Sequence, residues 1–265
     1  MNDLDTIERQ ALEAWFRAAM ATDSGDFRWT RFRQGDALCY GSATEPSILI
    51  NRVLNLGSEY APTLEQLVAI RTIYSNAGIS RFFLHVVADK LGSDYEALLT
   101  EAGYEKYRGW MKFERGTGEV EPVTTDLSIC RIGRENAANF ASIVGNAFDF
   151  KANFQPAIAA LVNDPNWYLY MSFNGDQPAG TGGLYMRDGV AYLDFGATHP
   201  DFRRRGGQTA LLSTRIQAAL DAGCTSIVTM TGEAVPGDEQ HSYSNIRRAG
   251  FEEAHLRENW IPVGS

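Results

Sequence analysis

The sequence is poor in cysteine and histidine and has no long apolar run. Its three cysteines, Cys39, Cys130 and Cys224, lie far apart and are odd in number, so they fit neither a disulfide framework nor a zinc site. We expect each to be a small buried apolar side chain in a reducing, cytoplasmic location. No stretch approaches the run of about 18 apolar residues that a membrane helix needs, and the acidic N-terminus lacks signal-peptide patterning. We therefore expect no membrane association.

Positive charge is scarce as well, with 24 lysines and arginines against 33 aspartates and glutamates. The formal net charge is −9 and the sequence pI is about 5.0. Such a chain gains no general attraction to a phosphate backbone, so we expect no nucleic-acid partner. Any anion site must be built from local donors against this adverse background.

Two common catalytic patterns are missing. The sequence contains no Gly-x-Ser-x-Gly motif, which argues against a serine hydrolase. No His, Cys and Asp cluster has metal-ligand spacing, so we expect no metal site. His199 precedes a proline and is interpreted as a turn residue rather than a base.

Hydrophobic periodicity predicts alternating helices and strands, which indicates an α/β protein or a mixed α+β sheet. The predicted helices span 4–20, 63–76, 94–102, 135–148, 154–163, 208–222 and 241–249. The predicted strands span 29–40, 48–54, 81–87, 107–114, 127–131, 167–174, 182–187, 190–197, 226–230 and 252–261.

The two halves of the chain resemble each other at two helix ends. The pair Ala77-Gly78 recurs as Ala222-Gly223, an offset of 222 − 77 = 145, and Ala102-Gly103 recurs as Ala249-Gly250, an offset of 249 − 102 = 147. A nearly constant offset with the same order of elements indicates two copies of one fold. The alternative is coincidence, because Ala-Gly is a common helix ending.

The stretch Gly116–Asp126 is rich in Gly, Thr, Glu and Pro and has little periodicity, so we interpret it as a linker. The predicted domains are residues 1–118 and residues 126–265.

The most informative segment is Asp194–Leu212, which reads DFGATHPDFRRRGGQTALL. A strand ends at Ala197–Thr198, and a basic glycine loop, Arg203–Gln208, opens directly into an amphipathic helix. The first N–H groups of a helix lack intrahelical partners and carry the positive end of its dipole. Glycines allow close approach and arginines add charge, so this loop predicts an anion site suited to pyrophosphate.

This segment resembles the GNAT superfamily of N-acetyltransferases, in which Arg/Gln-x-x-Gly-x-Gly/Ala opens a helix after a strand. Arg203, Gly206 and the following helix match, whereas Gln208 stands where the second Gly or Ala usually is. The run Ser242–Phe251 is similar to the next helix of the family, which ends in Gly-Phe. The resemblance covers about 140 residues, 126–265.

The resemblance implies that the C-terminal half binds acetyl-CoA and that the chain has a tandem GNAT-like fold with two similar halves. It implies that the strand end at Ala197 and Thr198 binds the pantetheine and offers an N–H to the thioester carbonyl. Ser242 and Asn245 would reach the far end of the cofactor. The pyrophosphate would lie on the loop formed by Arg203, Arg204, Arg205, Gly206, Gly207, Gln208 and Thr209.

Amine acetylation needs a base for the amine and usually an acid for the leaving thiolate. The resemblance implies a tyrosine five residues before the Phe of Gly-Phe, but Ile246 stands there. Tyr243, one helical turn earlier, is the candidate acid, and packing is its alternative role. Asp194 and Glu233 are the candidate bases, although a surface or hydrogen-bonded carboxylate is the simpler interpretation of each. A water chain is a further alternative for the base.

The N-terminal half lacks the basic loop, because 203 − 145 = 58 falls in the acidic stretch 57–62. We expect a degenerate half without a cofactor loop. The resulting hypothesis is an N-acetyltransferase acting on a primary amine of a small molecule. A non-catalytic acyl-CoA sensor is the main alternative, and aminoacyl transfer from tRNA is disfavoured by the low pI. A homodimer is an open alternative to a monomer.

Overall fold

The fold was analysed in a computed structural model that describes residues 3–23, 25–88, 91–121, 123–237 and 240–265. The chain divides into two compact units. Unit 1 contains the described residues of 25–111 together with 255–265, and unit 2 contains 3–23 together with the described residues of 112–254. Among the described residues, no helix has both the length and the apolar character that a bilayer span requires.

Unit 1 is a mixed sheet with two helices, and its strand order is β1-β2-β3-β4-β11-β5. The pairs β1–β2, β2–β3 and β4–β11 are antiparallel, and β3–β4 is parallel. Its core includes Leu67, Ile70 and Tyr74 from α2 and Trp260 from β11. The elements are β1 Trp29–Gln34, β2 Ala37–Ser42, β3 Arg52–Leu54, α2 Leu64–Asn76, β4 Phe83–Val86, α3 Tyr95–Glu101, β5 Tyr104–Arg115 and β11 Glu252–Pro262.

Unit 2 repeats this plan, with the strand order β10-β9-β8-β7-β6. Three antiparallel pairs, β6–β7, β7–β8 and β8–β9, are followed by the parallel pair β9–β10. The elements are α1 Asp3–Thr22, β6 Ser128–Ile132, α4 Ala137–Ala147, α5 Gln155–Ala159, β7 Trp167–Asn174, β8 Gln177–Arg187, β9 Val190–Thr198, α6 Gly207–Asp221, β10 Ser226–Gly232 and α7 His241–Arg248.

The predicted mixed α/β fold with two similar halves is confirmed. Ala77 and Ala222 are both helix C-caps, and each is followed by a glycine with positive φ, at 78° in Gly78 and 82° in Gly223. Ala102 and Ala249 end α3 and α7 in the same way. The matched Ala-Gly pairs therefore occupy equivalent helix ends, where only glycine adopts the left-handed conformation without steric cost.

Helix α1 belongs to unit 2, whereas the predicted boundary assigned it to the N-terminal domain. On α1, the indole ring of Trp15 packs edge-on against the Phe195 ring, with 5.1 Å between the ring centroids. The indole N–H donates a 2.7 Å hydrogen bond to the carbonyl of Ala157. The indole of Trp167 donates to the carbonyl of Ala11 at 3.2 Å. The helix periodicity shows that α1 buries one face, but only the fold decides which sheet receives it.

Three local predictions differ from the structure. The predicted strand 29–40 is a hairpin that turns at Gly35, where φ is 61°. Most of the predicted strand 48–54 is a turn, and only Arg52–Leu54 pairs. Cys130 is exposed on β6 rather than buried, whereas Cys39 and Cys224 are buried as predicted.

A buried ion cluster fixes α1 on unit 2. The Lys112 side chain is 1% exposed, and its ammonium lies 2.7 Å from the Glu8 carboxylate and 2.5 Å from the Asp5 carboxylate. It also donates to the carbonyl of Leu4 at 3.3 Å. A buried ammonium is stable only with such partners, so the cluster ties the first turns of α1 to the end of β5 that belongs to unit 2, residues 112–115.

We predict that Lys112→Ala lowers the free energy of unfolding by about 3–5 kcal/mol, because it leaves carboxylates of α1 buried without their cation. Urea denaturation followed by circular dichroism measures the change. The matched control is Arg247→Ala, which breaks an exposed pair with Glu253 and is expected to cost about 1 kcal/mol or less. Equal losses of unfolding free energy in the two variants would contradict the assignment of Lys112 to a stabilising buried ion cluster.

Candidate functional site

The parallel strands β9 and β10 pair over only part of their length. Their register runs from Val190 with Ser226 to Leu193 with Thr229. Both strands continue past this last pair, β9 to Thr198 and β10 to Gly232. The two strands therefore separate toward their carboxyl ends, and one backbone edge of β9 is open there.

A bulge at Phe195 accompanies this separation. Gly183 of β8 pairs with Asp194 of β9, and Thr181 pairs with Ala197. Between these two pairs β8 moves by two residues and β9 by three, so β9 contains one extra residue. Phe195 has a φ of 53°, and its N–H donates to the Asp194 carboxylate at 2.7 Å. Its carbonyl accepts from the Thr181 hydroxyl at 2.9 Å. These contacts hold a backbone conformation that a non-glycine residue rarely adopts.

The bulge is also held from α6 by a buried arginine. The Arg215 guanidinium donates from Nη1 to the carbonyls of Gly183 and Asp194, both at 3.0 Å, and from Nε to the carbonyl of Leu211 at 3.1 Å. Arg215 is 3% exposed. Burial lowers its pKa to about 10, so the guanidinium stays charged at neutral pH. The residue was not identified from the sequence, because an arginine inside an amphipathic helix has no distinctive signal.

The predicted basic loop leads directly into α6. Arg204 and Gly206 have positive φ angles of 63° and 76°, and the helix begins at Gly207. No side chain caps this end among the described residues. The first N–H groups of α6 therefore have no acceptors within the helix and can bind an anion.

Close packing around the loop requires both glycines. A Cβ atom at Gly206 would lie 3.1 Å from the carbonyl oxygen of Thr124, and one at Gly207 would lie 2.8 Å from the Leu127 side chain. The Thr125 hydroxyl donates to the carbonyl of Arg205 at 2.7 Å. The end of the predicted linker therefore packs against the loop, and residues 112–126 belong to unit 2 rather than between two domains.

The three arginines of the loop differ in their surroundings. The Arg205 guanidinium binds the Asp126 carboxylate and donates to the Asn174 side chain at 3.0 Å. The hydrogen bond from Arg205 holds the pKa of Asp126 below its usual value. Arg203 and Arg204 are exposed. The Arg205 side chain thus has a structural role, and its contribution to an anion site is limited to its backbone.

Gln208, the departure from the family pattern, packs along β9. Its Nε2 donates to the carbonyl of Ala197, and its Oε1 lies 3.3 Å from where a Cβ of Gly196 would be. The larger side chain is accommodated because Gly196 has none. The loop, the first turn of α6 and the strand end at Ala197–Thr198 therefore lie together, as the sequence predicts.

The two candidate bases lie at the open ends of the strands. Both Asp194 oxygens accept hydrogen bonds, one from the Phe195 N–H and one from the Tyr192 hydroxyl at 3.1 Å. Glu233 is half-buried and directly follows β10. Asp194 therefore holds the bulge, which its position in the sequence did not indicate.

Tyr243 faces the other end of β10. Its ring packs edge-on against Phe113 at 4.8 Å. Burial and a hydrogen bond with Glu253 raise its pKa to about 12. The Ser226 hydroxyl, at the start of β10, donates to Glu114, the neighbour of Phe113, at 2.7 Å. The Tyr243 ring is therefore packed at the first residues of β10, whereas the open ends follow its last residues.

The remaining predicted residues lie on α7. Ser242 is exposed, and the Asn245 side chain accepts a 2.6 Å hydrogen bond from Arg248. Among the described residues, neither side chain is hydrogen-bonded to the loop.

In unit 1 an internal carboxylate occupies the equivalent position. Asp36 is 4% exposed and accepts from the Glu59 N–H at 3.2 Å and from the Ser58 hydroxyl at 3.3 Å. It also accepts from Gln66 on α2 at 3.2 Å. The Thr63 hydroxyl caps the helix by accepting from the Gln66 N–H. A buried carboxylate and a side-chain cap therefore occupy the start of α2, where unit 2 has an uncapped helix end.

Comparison with known families agrees with this geometry. Residues 140–251 match the model of the acetyltransferase (GNAT) family. The matched segment contains the bulged strand, the loop, α6 and α7. No curated protein sequence matches the chain significantly.

Solved structures share the fold over nearly the whole chain. The chain is similar to a GCN5-related N-acetyltransferase from Kribbella flavida, with 15% identity, a TM-score of 0.65, and coverage of 97% of this chain and 95% of the other. A GNAT-family acetyltransferase from Colwellia psychrerythraea has 14% identity, a TM-score of 0.57, and coverage of 97% and 96%. A tandem GNAT protein from the clavulanic acid biosynthesis pathway has 12% identity, a TM-score of 0.57, and coverage of 85% and 77%.

We predict that Gly206→Ala destabilises unit 2 more than Gly175→Ala. Both positions have positive φ, at 76° and 59°, so each substitution carries a conformational cost of about 1–2 kcal/mol. A Cβ at Gly175 meets no described atom within 4 Å, whereas one at Gly206 crowds the Thr124 carbonyl. Thermal denaturation of the two variants checks the order, and a lower midpoint for Gly175→Ala would contradict it.

Proposed function

We propose that unit 2 is an N-acetyltransferase that transfers the acetyl group of acetyl-CoA to a primary amine of a small molecule. The observation that carries this proposal is the open carboxyl end of β9 beside the uncapped N-terminus of α6, within the segment that matches the GNAT family. Acetyl-CoA supplies an activated thioester whose carbonyl the amine attacks.

The loop is suited to the pyrophosphate. The backbone N–H groups from Arg204 to Thr209 belong to the loop and to the first turn of α6, where the helix dipole favours negative charge. Arg203 adds an exposed cation beside them. This local arrangement offsets the net charge of −9 carried by the chain as a whole.

The open edge of β9 is suited to the pantetheine. The His199 N–H donates to the carbonyl of Ala179 on the β8 side at 2.9 Å. Because backbone groups of alternate residues point to opposite edges of a strand, those of Thr198 face the open edge. An N–H of this edge stabilises the negative charge that develops on the thioester oxygen as the amine nitrogen bonds to the carbonyl carbon.

The reaction also needs two proton transfers. The attacking amine must lose a proton, and the thiolate released when the carbon–sulfur bond breaks must gain one. Glu233 is the preferred base, because it is half-buried and directly follows β10 at the end where β9 and β10 separate. The acidic balance of the chain favours a cationic acceptor by electrostatic steering.

Unit 1 is proposed to bind no acyl-CoA. Asp36 already occupies the donors next to α2, and a second anion there would meet a buried carboxylate. We further propose a cytoplasmic protein without nucleic-acid or membrane partners. Whether it is a monomer or a homodimer is measured by light scattering.

One observation favours a second candidate function, a non-catalytic acyl-CoA sensor. Tyr243 hydrogen-bonds Glu253, so the hydroxyl of the candidate acid already has an acceptor within the protein. Release of coenzyme A with any member of an amine panel supports acetyl transfer. Tight coenzyme A binding without release for any amine supports the sensor.

We predict that Arg203→Glu and Gly206→Glu each abolish coenzyme A binding, because a carboxylate then lies where the pyrophosphate is proposed to bind. Isothermal titration calorimetry measures the loss, expected to exceed about tenfold in Kd. Arg187→Glu is the matched control, since Arg187 is an exposed arginine on β8 paired with Asp188. Wild-type affinity for coenzyme A in both loop variants would refute the proposed pyrophosphate site.

We predict that Tyr243→Phe retains most of the acetylation rate, whereas Glu233→Gln lowers it by about 10²-fold or more. A hydroxyl with a pKa of about 12 that is bonded to Glu253 is a poor proton donor to a distant thiolate. Steady-state rates with the best amine check both variants. A large loss in Tyr243→Phe would instead support the family-like acid, and an unchanged rate in Glu233→Gln would exclude that base.

A further inference from the structure

We propose that Arg215 is a positioning residue that holds the open end of β9 in register with the anion loop. This inference rests on the proposed function of unit 2. Arg215 is a buried cation on α6 and is separate from the loop that contacts the cofactor.

The first observation is the set of acceptors. The Arg215 guanidinium donates to the carbonyl of Asp194, which is the residue just before the bulge, and to the carbonyl of Gly183 on the neighbouring strand β8. Gly183 and Asp194 are register partners, and the ladder between β8 and β9 shifts directly beyond this pair, before the pair of Thr181 and Ala197. Arg215 therefore joins the two strands where their own pairing is disturbed.

The second observation is the space provided for the side chain. A Cβ at Gly182 would lie 2.5 Å from both Cζ and Nε of Arg215. Gly182 lies on β8 within the bulged stretch, between Thr181 and Gly183. The missing side chain at Gly182 is thus a direct requirement of the guanidinium position.

The third observation is the element that carries Arg215. It lies on α6, whose first turn is the proposed pyrophosphate site and whose Gln208 donates to the carbonyl of Ala197. Two side chains of one helix therefore bond β9 on both sides of the bulge. The distance between the loop and the open strand edge is fixed by these contacts, and a ligand that spans both requires that distance.

This arrangement separates two parts of coenzyme A. The pyrophosphate contacts the loop, whereas the pantetheine contacts the strand edge. Adenosine diphosphate (ADP) carries the pyrophosphate and lacks the pantetheine, so it reports on the loop alone. A residue that only stabilises the fold has no reason to affect the two ligands differently.

The experiment compares wild-type protein, Arg215→Met and Gly182→Ala, with Gln217→Ala as the control on the exposed face of the same helix. Calorimetry measures coenzyme A and ADP binding, and hydrogen exchange measures backbone protection over 194–198. We expect both variants to weaken coenzyme A binding by about tenfold and to change ADP binding by less than about twofold, with faster exchange at 194–198.

The double variant Arg215→Ala with Gly182→Ala adds a second test, which does not use Arg215→Met. In an Arg215→Ala background, the added methyl of Gly182→Ala meets no guanidinium and should have little further effect on coenzyme A affinity. Equal effects of Gly182→Ala with and without Arg215 would overturn the proposed contact. Arg215→Lys, which keeps the charge and reaches fewer carbonyls, should restore part of the affinity.

The outcomes separate the two hypotheses. Wild-type protein that binds neither coenzyme A nor ADP would overturn the proposed function, and the positioning role with it. Wild-type protein that binds both, with variants that lose the two ligands in parallel or keep normal exchange at 194–198, would overturn the positioning role alone.

Discussion

Strand β9 pairs regularly in its first half and is bulged and open in its second half, and the Arg215 guanidinium lies at the change between the two. A buried cation is costly, and here three backbone carbonyls compensate it. Gly182 leaves the space that the guanidinium fills. The open strand edge and the start of α6 both depend on this interaction, because the strand ladder alone does not fix the bulged residues.

The two units differ at the start of the helix that connects their two parallel strands, α2 between β3 and β4 and α6 between β9 and β10. In unit 2 the loop before α6 contains arginines and glycines, and the first helical N–H groups have no internal anion. In unit 1 the Asp36 carboxylate binds Ser58 and Glu59, which precede α2, together with the Gln66 side chain, and Thr63 caps the helix. The segment before α2 is thus occupied by side chains of unit 1 itself.

Much of the fold and of the loop was predictable from local signals. Helix periodicity located α1, α2, α6 and α7 to within a few residues, and the Ala-Gly endings matched equivalent helix ends in both halves. The basic glycine loop was recognisable because glycine, arginine and a helix start stand together in the sequence. Arg215 and Asp36 were not predictable, because partners such as Gly183 and Glu59 are distant in the sequence. The role of Asp194 was not predictable either, because its partners are local but the bulge that brings them together forms only in the sheet.

The sequence by itself determined the mixed α/β pattern, the two similar halves and the basic glycine loop before α6, since these follow from periodicity, turn residues and helix-end chemistry that act over a few residues. Only the tertiary structure decided that α1 packs on unit 2, that the last strand contributes to unit 1, and that Tyr243 meets Glu253. It also decided where β9 bulges and what holds it. Those features depend on which buried surfaces and carbonyls meet, and that choice is made by packing between elements rather than by any one segment.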